Sequence, residues 1–444
     1  MYYDLTRGKI SRSLILFALP MIAGNLLQQF YNIADTLIVG RVLGSNALAA
    51  VGSSYTLMTF LTSIFLGLSM GAGALFSIYQ GRKDLSSLKL SILHAFLLIL
   101  AVTLVLNLAV YAGIEPILTF LRVPDEVRPG MRTYLLIIFA GLIATSVYNF
   151  FSCMLRALGN SSVPLIFLAV SAVLNIALDL LFVAVLPFGI AGAALATVLA
   201  QYVSAVGILL YVLLRCRMWL PSKKEWRFSH SILKEILNLS SMTCIQQSVM
   251  NFGILMVQGL VNSFGPAVMA AFAAAVKIDT FAYLPVQDFG NAYSTFTAQN
   301  YGAGKYDRIR QGLKAVLGIG CVFSVIIFIL SHTISPYLIS FIASSKNKEV
   351  IYWGTQYLVY DMSFQVVCVF IVILRNSLQG IGDQRTPVFS SFIELAGKVV
   401  FTLVFVRRFG YWAVIWTEPV IWICMVIPLI VTAAGNPVLF GKQK

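Results

Sequence analysis

Four residues in the first half of the chain have the side-chain types of an ion site: Asp35, Asn175, Asp179 and Thr197. Two carboxylates, an amide and a hydroxyl offer oxygen ligands to a small hard cation, and either carboxylate can instead take up a proton. Their spacing suits helices. Asp35 shares a stripe with Asn25, Gln28 and Asn32 that covers roughly 80° of a helix at 100° per residue. Asn175 and Asp179 stand one turn apart on a common face. A carboxylate in an apolar segment is expensive to bury, which makes it a candidate for function. Upstream of Asp35, Pro20 lacks a backbone donor and clashes with the carbonyl four residues back, so a kink or hinge is expected there.

The elements that must position these groups are membrane spans. Hydrophobic residues make up 59% of the 444 and charged residues 11%, where soluble domains carry about 45–50% apolar residues. Charge-free runs at 90–114, 133–155, 236–276 and 315–345 each exceed the roughly 20 residues needed to cross a bilayer. The sequence reads as an all-α polytopic membrane protein with twelve spans: 13–40, 47–78, 90–113, 131–153, 162–184, 188–213, 236–261, 267–299, 313–337, 351–375, 386–406 and 410–433. With the N-terminus inside, most Lys and Arg fall in the inside connections, including Arg7, Lys9, Arg82, Lys83, the central run Arg215 to Lys234, Lys305, Arg308 and Arg375 with Arg385. That bias predicts both termini in the cytoplasm. It also puts Asp35, Asp179 and Thr197 at similar depth in the outer half of the bilayer. The net charge of +14 lies in loops and is not a nucleic-acid footprint. No cleavable signal peptide is read at the start, because the first apolar run lacks a small-residue cleavage site. The six cysteines show no metal spacing.

The chain also repeats itself at a nearly constant offset of about 220 residues. LRALGNSSVP (155–164) returns as LQGIGDQRTP (378–387), Gly81 to Asp84 as Gly304 to Asp307, Gln28-Gln29 as Gln246-Gln247, and Gly44 as Gly265. Each half holds six spans, an even number, so the repeats are expected to be parallel lobes. The boundaries are 1–214 for the first lobe, 215–235 for a basic cytoplasmic linker and 236–444 for the second lobe.

The second half mirrors the polar stripe without an acid. Gln247, Asn251, Gln258 and Asn262 fall within roughly 60° on the seventh span. Together with Gln28, Asn32 and Lys277 they are candidates for a substrate path. Glu394 and Lys398 have the i, i+4 spacing of an internal ion pair, while Asp361 and Glu418 read as isolated acids. No phosphate-binding GxxxxGK[ST], HExxH or nucleophile elbow occurs, which argues against ATP-driven transport, an enzyme or a resident cofactor.

Several stretches together resemble one family. ALPMIAGNLLQQFYNIADTLIVGRVLGSNALAAVG (18–52), FTAQNYGAGKYDRIRQG (296–312) and the paired LRALGNSSVP and LQGIGDQRTP are similar to the multidrug and toxic compound extrusion (MATE) transporters of prokaryotes. The resemblance covers nearly the whole chain. It implies two six-helix lobes that export organic cations or other amphipathic toxic compounds in exchange for H+ or Na+. The family's first-lobe cation site maps onto Asp35, Asn175 with Asp179, and Thr197, with Na+ as one occupant at Asp35, Asn175 and Asp179. Its first-helix hinge maps onto Pro20. The acidic second-lobe cluster of some members lacks its seventh-helix acid here, so coupling is expected in the first lobe. The expected protein is a monomer of the cytoplasmic membrane whose partners are a small-molecule substrate and the lipid bilayer. A lipid-linked oligosaccharide flippase and a non-transporting sensor are the alternatives.

Overall fold

The computed structural model describes residues 3–120, 123, 125–261, 264–343 and 347–441. Among these the regular elements are helices: α1 (Ile10–Leu43), α2 (Ser45–Arg82), α3 (Leu85–Ala112), α4 (Ile114–Phe120), α5 (Arg128–Ala140), α6 (Leu142–Ala157), α7 (Ser162–Asp179), α8 (Gly189–Arg215), α9 (His230–Val261), α10 (Pro266–Gly302), α11 (Tyr306–Ile342), α12 (Lys348–Ser363), α13 (Gln365–Gly380), α14 (Arg385–Val400), α15 (Val406–Phe409) and α16 (Tyr411–Gly435). Helices dominate because hydrocarbon offers backbone amides no partner, so each span must satisfy its own. α3 accordingly turns Val105 and Leu108 outward, as a lipid-facing helix does.

Among the described residues nine helices are long and apolar enough to cross a membrane, with α7 and α14 counted together with their continuations. Two helix pairs meet the same length and hydropathy test only when taken together, and each is bent at its break. α5 and α6 meet at a bend of 44°, and α12 and α13 at a bend of 51°. The seventh expected span lies within α9. α1 runs unbroken through Pro20.

The helices form two compact units, one of residues 1–3 and 19–244, the other of residues 4–18 and 245–444. In the first, α2 packs on α3, α5 and α6, and α8 packs on α5, α6 and α7. In the second, α10 packs on α11, α12 and α13, and α16 on α12, α13 and α14. The matching pattern follows the sequence repeat. Glycines in the left-handed region recur in step: Gly44 (φ 84°) with Gly265 (91°), Gly159 (89°) with Gly382 (90°), and Gly189 (61°) with Gly410 (57°).

Close helix approach in the first unit depends on small residues. A Cβ on Gly67 would lie 2.6 Å from the Cys244 Cα, and one on Gly71 2.5 Å from the Ser240 Cα. Here α2 and α9 cross almost backbone to backbone, a small-xxx-small contact typical of membrane helices. Ser240 Oγ reinforces it by donating to the Leu68 carbonyl at 2.9 Å. In the second unit Arg308 on α11 gathers the chain's start. Its guanidinium donates to the carbonyls of Gly8 (2.9 Å), Arg7 (3.1 Å) and Leu5 (3.3 Å).

The structure changes an assignment made from sequence. Arg375 is not a loop cation. It lies within α13, only 4% exposed, with Nη1 against the Met250 sulfur at 3.2 Å. One residue leaves the inside set, and the sign of the charge bias is unchanged.

Candidate intramembrane ion site

In the first unit Asp35 on α1 and Asp179, the last residue of α7, bring their carboxyl groups within hydrogen-bonding reach. As carboxylates both groups accept and neither donates. Asp35 Oδ1 and both Asp179 oxygens are therefore enclosed without a hydrogen-bond partner. Asp179 is fully buried and Asn175 nearly so. Asn175 Nδ2 donates to Thr197 Oγ1 of α8 at 3.3 Å, and Thr197 donates in turn to the Ala193 carbonyl at 3.1 Å. The Asn175 Oδ1 is left unpartnered. Three residues thus present oxygens that lack donors, an arrangement completed by a proton or a cation.

The helix changes character at this point. Beyond Asp179 the chain widens into a π-helical segment, Leu180–Val185, in which the Leu186 N–H reaches the Leu181 carbonyl at 2.8 Å. Such segments are frequent at functional sites because they re-aim side chains. Two tyrosines not picked out from the sequence lie within electrostatic range of both carboxyls: Tyr31, one turn before Asp35, and Tyr134 on α5. The spacing of Tyr31 to Asp35 was the available signal for the first. For Tyr134 it was the recurrence of a tyrosine, Tyr357, at the matching position of the second repeat.

The remaining candidates scatter. Gln28 and Asn32 are half-buried on α1. On α9, Asn251 is tied back to its own helix through the Gln247 carbonyl at 3.0 Å. Gln246, beside the predicted stripe, is the amide that is buried and bonded, to Gln379 at 2.6 Å. Asn262 and the side chain of Gln258 lie outside the described residues. Lys277 is exposed on α10.

Asp361 and Glu418 are not isolated. In the second unit Asp279 and Asp361 are within hydrogen-bonding reach of one another. Lys398 donates to Glu394 at 2.9 Å and pairs with Glu418 at 3.0 Å. The i, i+4 pair read from the sequence is thus one arm of a larger network. Four acids and one ammonium gather from α10, α12, α14 and α16, elements far apart in the chain. Among the described residues no group of three or more His, Cys, Asp or Glu has the geometry to hold a metal ion.

Long apolar helices and two bent helix pairs mark a multi-pass helical membrane protein, and the unpartnered carboxylates among them form its candidate site. The MatE family model matches residues 20–181 and 240–404, one stretch in each half. The chain belongs to the MatE family, the multidrug and toxic compound extrusion transporters. It is 33% identical over 359 residues to the probable multidrug resistance protein YpnP of Bacillus subtilis, covering 80% of this chain and 79% of that one. It is 22% identical over 420 residues to the multidrug export protein MepA of Staphylococcus aureus, covering 94% and 91%. The fold matches the Vibrio cholerae MATE transporter VcmN, solved as a variant, with a TM-score of 0.88 at 20% identity over 96% of this chain and 98% of that one. It matches equally, at 0.88 and 20% identity over 97% of each chain, a transporter of Pyrococcus furiosus described as of the MOP superfamily. The chain is therefore a membrane transporter of a multidrug efflux family, with small-molecule substrates, and not an enzyme.

Proposed function

We propose that this protein exports organic cations or amphipathic toxic compounds by antiport against H+ or Na+, with alternating access. The observation that carries the reading is the Asp35–Asp179 pair, two carboxyl groups in contact with no donor between them. An ion taken up there removes charge from the interior of the first unit, and Asn175 and Thr197 complete its oxygen shell. Uptake then favours bending of α1 near Pro20 and release of substrate outward. Coupling requires the ion to bind the two conformations with different free energy. Gln28, Asn32, Gln247 and Asn251 line the substrate's route in this reading. The protein acts as a monomer of two six-helix lobes in the cytoplasmic membrane, with both termini in the cytoplasm.

The test is flux of a fluorescent organic cation in proteoliposomes with proton and sodium gradients imposed separately. One gradient should drive export in the native protein. Neither should drive it in Asp35→Asn or Asp179→Asn. Gradient-driven export that survives both substitutions would remove the site from the mechanism.

A further inference from the structure

The two units build the same scaffold around opposite electrostatics. The repeat that aligns Pro164 with Pro387 places Lys398 at the position of Asn175, and the one that aligns Gly189 with Gly410 places Glu418 at the position of Thr197. Both pairs are formed. Asn175 bonds Thr197 at 3.3 Å, and Lys398 bonds Glu418 at 3.0 Å. Each pair sits beside two aspartates in contact, Asp35 with Asp179 and Asp279 with Asp361. Each has a tyrosine at the matching place, Tyr134 and Tyr357, and each leading helix runs on into a π-helical segment, Leu180–Val185 and Phe401–Phe405. The difference is a cation. The first site is made of acids, an amide, a hydroxyl and phenols. The second carries an ammonium.

The lysine also fills the space of an absent acid. Counted from the match of Gln28-Gln29 with Gln246-Gln247, Asp35 corresponds to Gly253. A Cβ there would lie 3.0 Å from the Lys398 Cδ, so the lysine stem runs against the bare backbone of α9. Lys398 is 2% exposed, and of its acidic neighbours Asp361 is 2% and Glu394 7% exposed. An ammonium buried to this degree is held by the carboxylates around it.

We propose that Lys398 is a tethered cation. In the second unit it takes the place that a mobile monovalent cation takes in the first, and it closes this acidic cluster to ions from solution. Ion uptake is thereby confined to one unit, and Lys398 sets that stoichiometry. The proposal rests on the reading of the first unit as the ion site, so the experiment silences that unit throughout.

The probe is 22Na+, bound at equilibrium to purified full-length protein at pH 8 in the Asp35→Asn, Asp179→Asn background. With Lys398 present, no specific binding is expected. Lys398→Met should create a site that approaches one sodium per protein, that Asp361→Asn reduces at least tenfold, and that Lys398→Arg does not create. Folding is followed by gel filtration and thermal unfolding. Sodium, but not choline, should raise the melting temperature of Lys398→Met and leave the lysine-containing parent unmoved. If Lys398→Met unfolds in sodium-free buffer, purification with sodium or ethylammonium should restore a folded peak, since either fills the vacated place. Failure of both cations to restore it overturns the proposal. So does a folded Lys398→Met that binds no sodium. Stoichiometric binding in the lysine-containing parent that Asp361→Asn removes also overturns it. None of these outcomes depends on whether Asp35 and Asp179 couple transport.

Discussion

Asp35 and Asp179 place two hydrogen-bond acceptors face to face inside an apolar bundle, with three of their four oxygens enclosed and unpartnered. An asparagine at either position supplies the missing donor. Asp35→Asn should therefore leave the protein folded and raise its melting temperature while abolishing ion-driven efflux. A hydrogen bond to a charged group contributes about 1.5–3 kcal/mol. Thermal unfolding and proteoliposome flux, measured on the same preparation, read the two effects. A variant that is both less stable and fully active contradicts the geometry.

Thr197 gives a sharper test of how the site is held. Its hydroxyl accepts from Asn175 and donates to the Ala193 carbonyl. Thr197→Val keeps the shape and removes both bonds, leaving the buried Asn175 amide without its partner at a cost of about 1–3 kcal/mol. Ion affinity should fall severalfold. Thr197→Ser keeps the hydroxyl and should restore the affinity, which separates the bond from the packing of the methyl group.

Two acids outside the membrane are held by partners that keep them charged, so the pH dependence of transport should not come from them. Glu225 in the linker accepts from the Ser222 backbone at 2.7 Å and from Lys89 at 3.0 Å, which hold its carboxyl at about 2, below the ordinary 4.5. Arg128, with Arg132, holds Glu115 below the usual carboxylate range. Groups lowered in this way contribute stability above their unfolded value and lose it as pH falls through the folded one. Neither changes charge between about pH 5 and 8. Glu225→Gln and Glu115→Gln should leave the shape of a flux–pH profile over that range unchanged.

Much of this molecule was legible in the sequence, for identifiable reasons. Span positions follow from runs of apolar residues, and the repeat from glycines whose positive φ fixes the chain's turns in both halves. Asp35, Asn175 and Asp179 stood out because acids and amides are rare in such runs. The second-unit network did not stand out as a network. Asp279, Asp361, Lys398 and Glu418 come from four helices, and only Glu394 with Lys398 shares a helical face. The breaks at Gly141 and Phe364 were hidden because hydropathy carries no signal for a bend. Arg375 was read as a loop residue because a guanidinium is rarely buried without an acid.

Arg308 explains one of the motifs that marked the family. It lies in the stretch after α10 and collects three carbonyls from the N-terminal segment, while Lys305 takes that of Thr6 at 2.8 Å and Asn300 that of Leu5 at 3.2 Å. Arg308→Gln removes the charged fork. Hydrogen exchange over residues 5–12 should speed up by at least tenfold, while exchange within α11 beyond its first turn stays unchanged. A protection pattern that does not move would show that the segment is held by other contacts.

The crossing of α2 and α9 sets a limit that side chains cannot relax. A Cβ on Gly71 would meet the backbone of Leu239 and Ser240 at 2.5–2.7 Å, so the helices themselves would have to separate. Separation breaks the bond from Ser240 to the Leu68 carbonyl and leaves the Ser240 hydroxyl without that acceptor in an apolar region. Overpacking of this kind costs about 1–3 kcal/mol, and a backbone neighbour puts Gly71→Ala at the upper end. Gly318 on α11 is the control, since nothing lies within 4 Å of a Cβ built there. Gly318→Ala should be neutral or stabilising by about 0.5–1 kcal/mol, because alanine loses less backbone entropy in a helix. Thermal unfolding of the two variants in one detergent should place them on opposite sides of the native protein, and equal melting temperatures would contradict the close crossing.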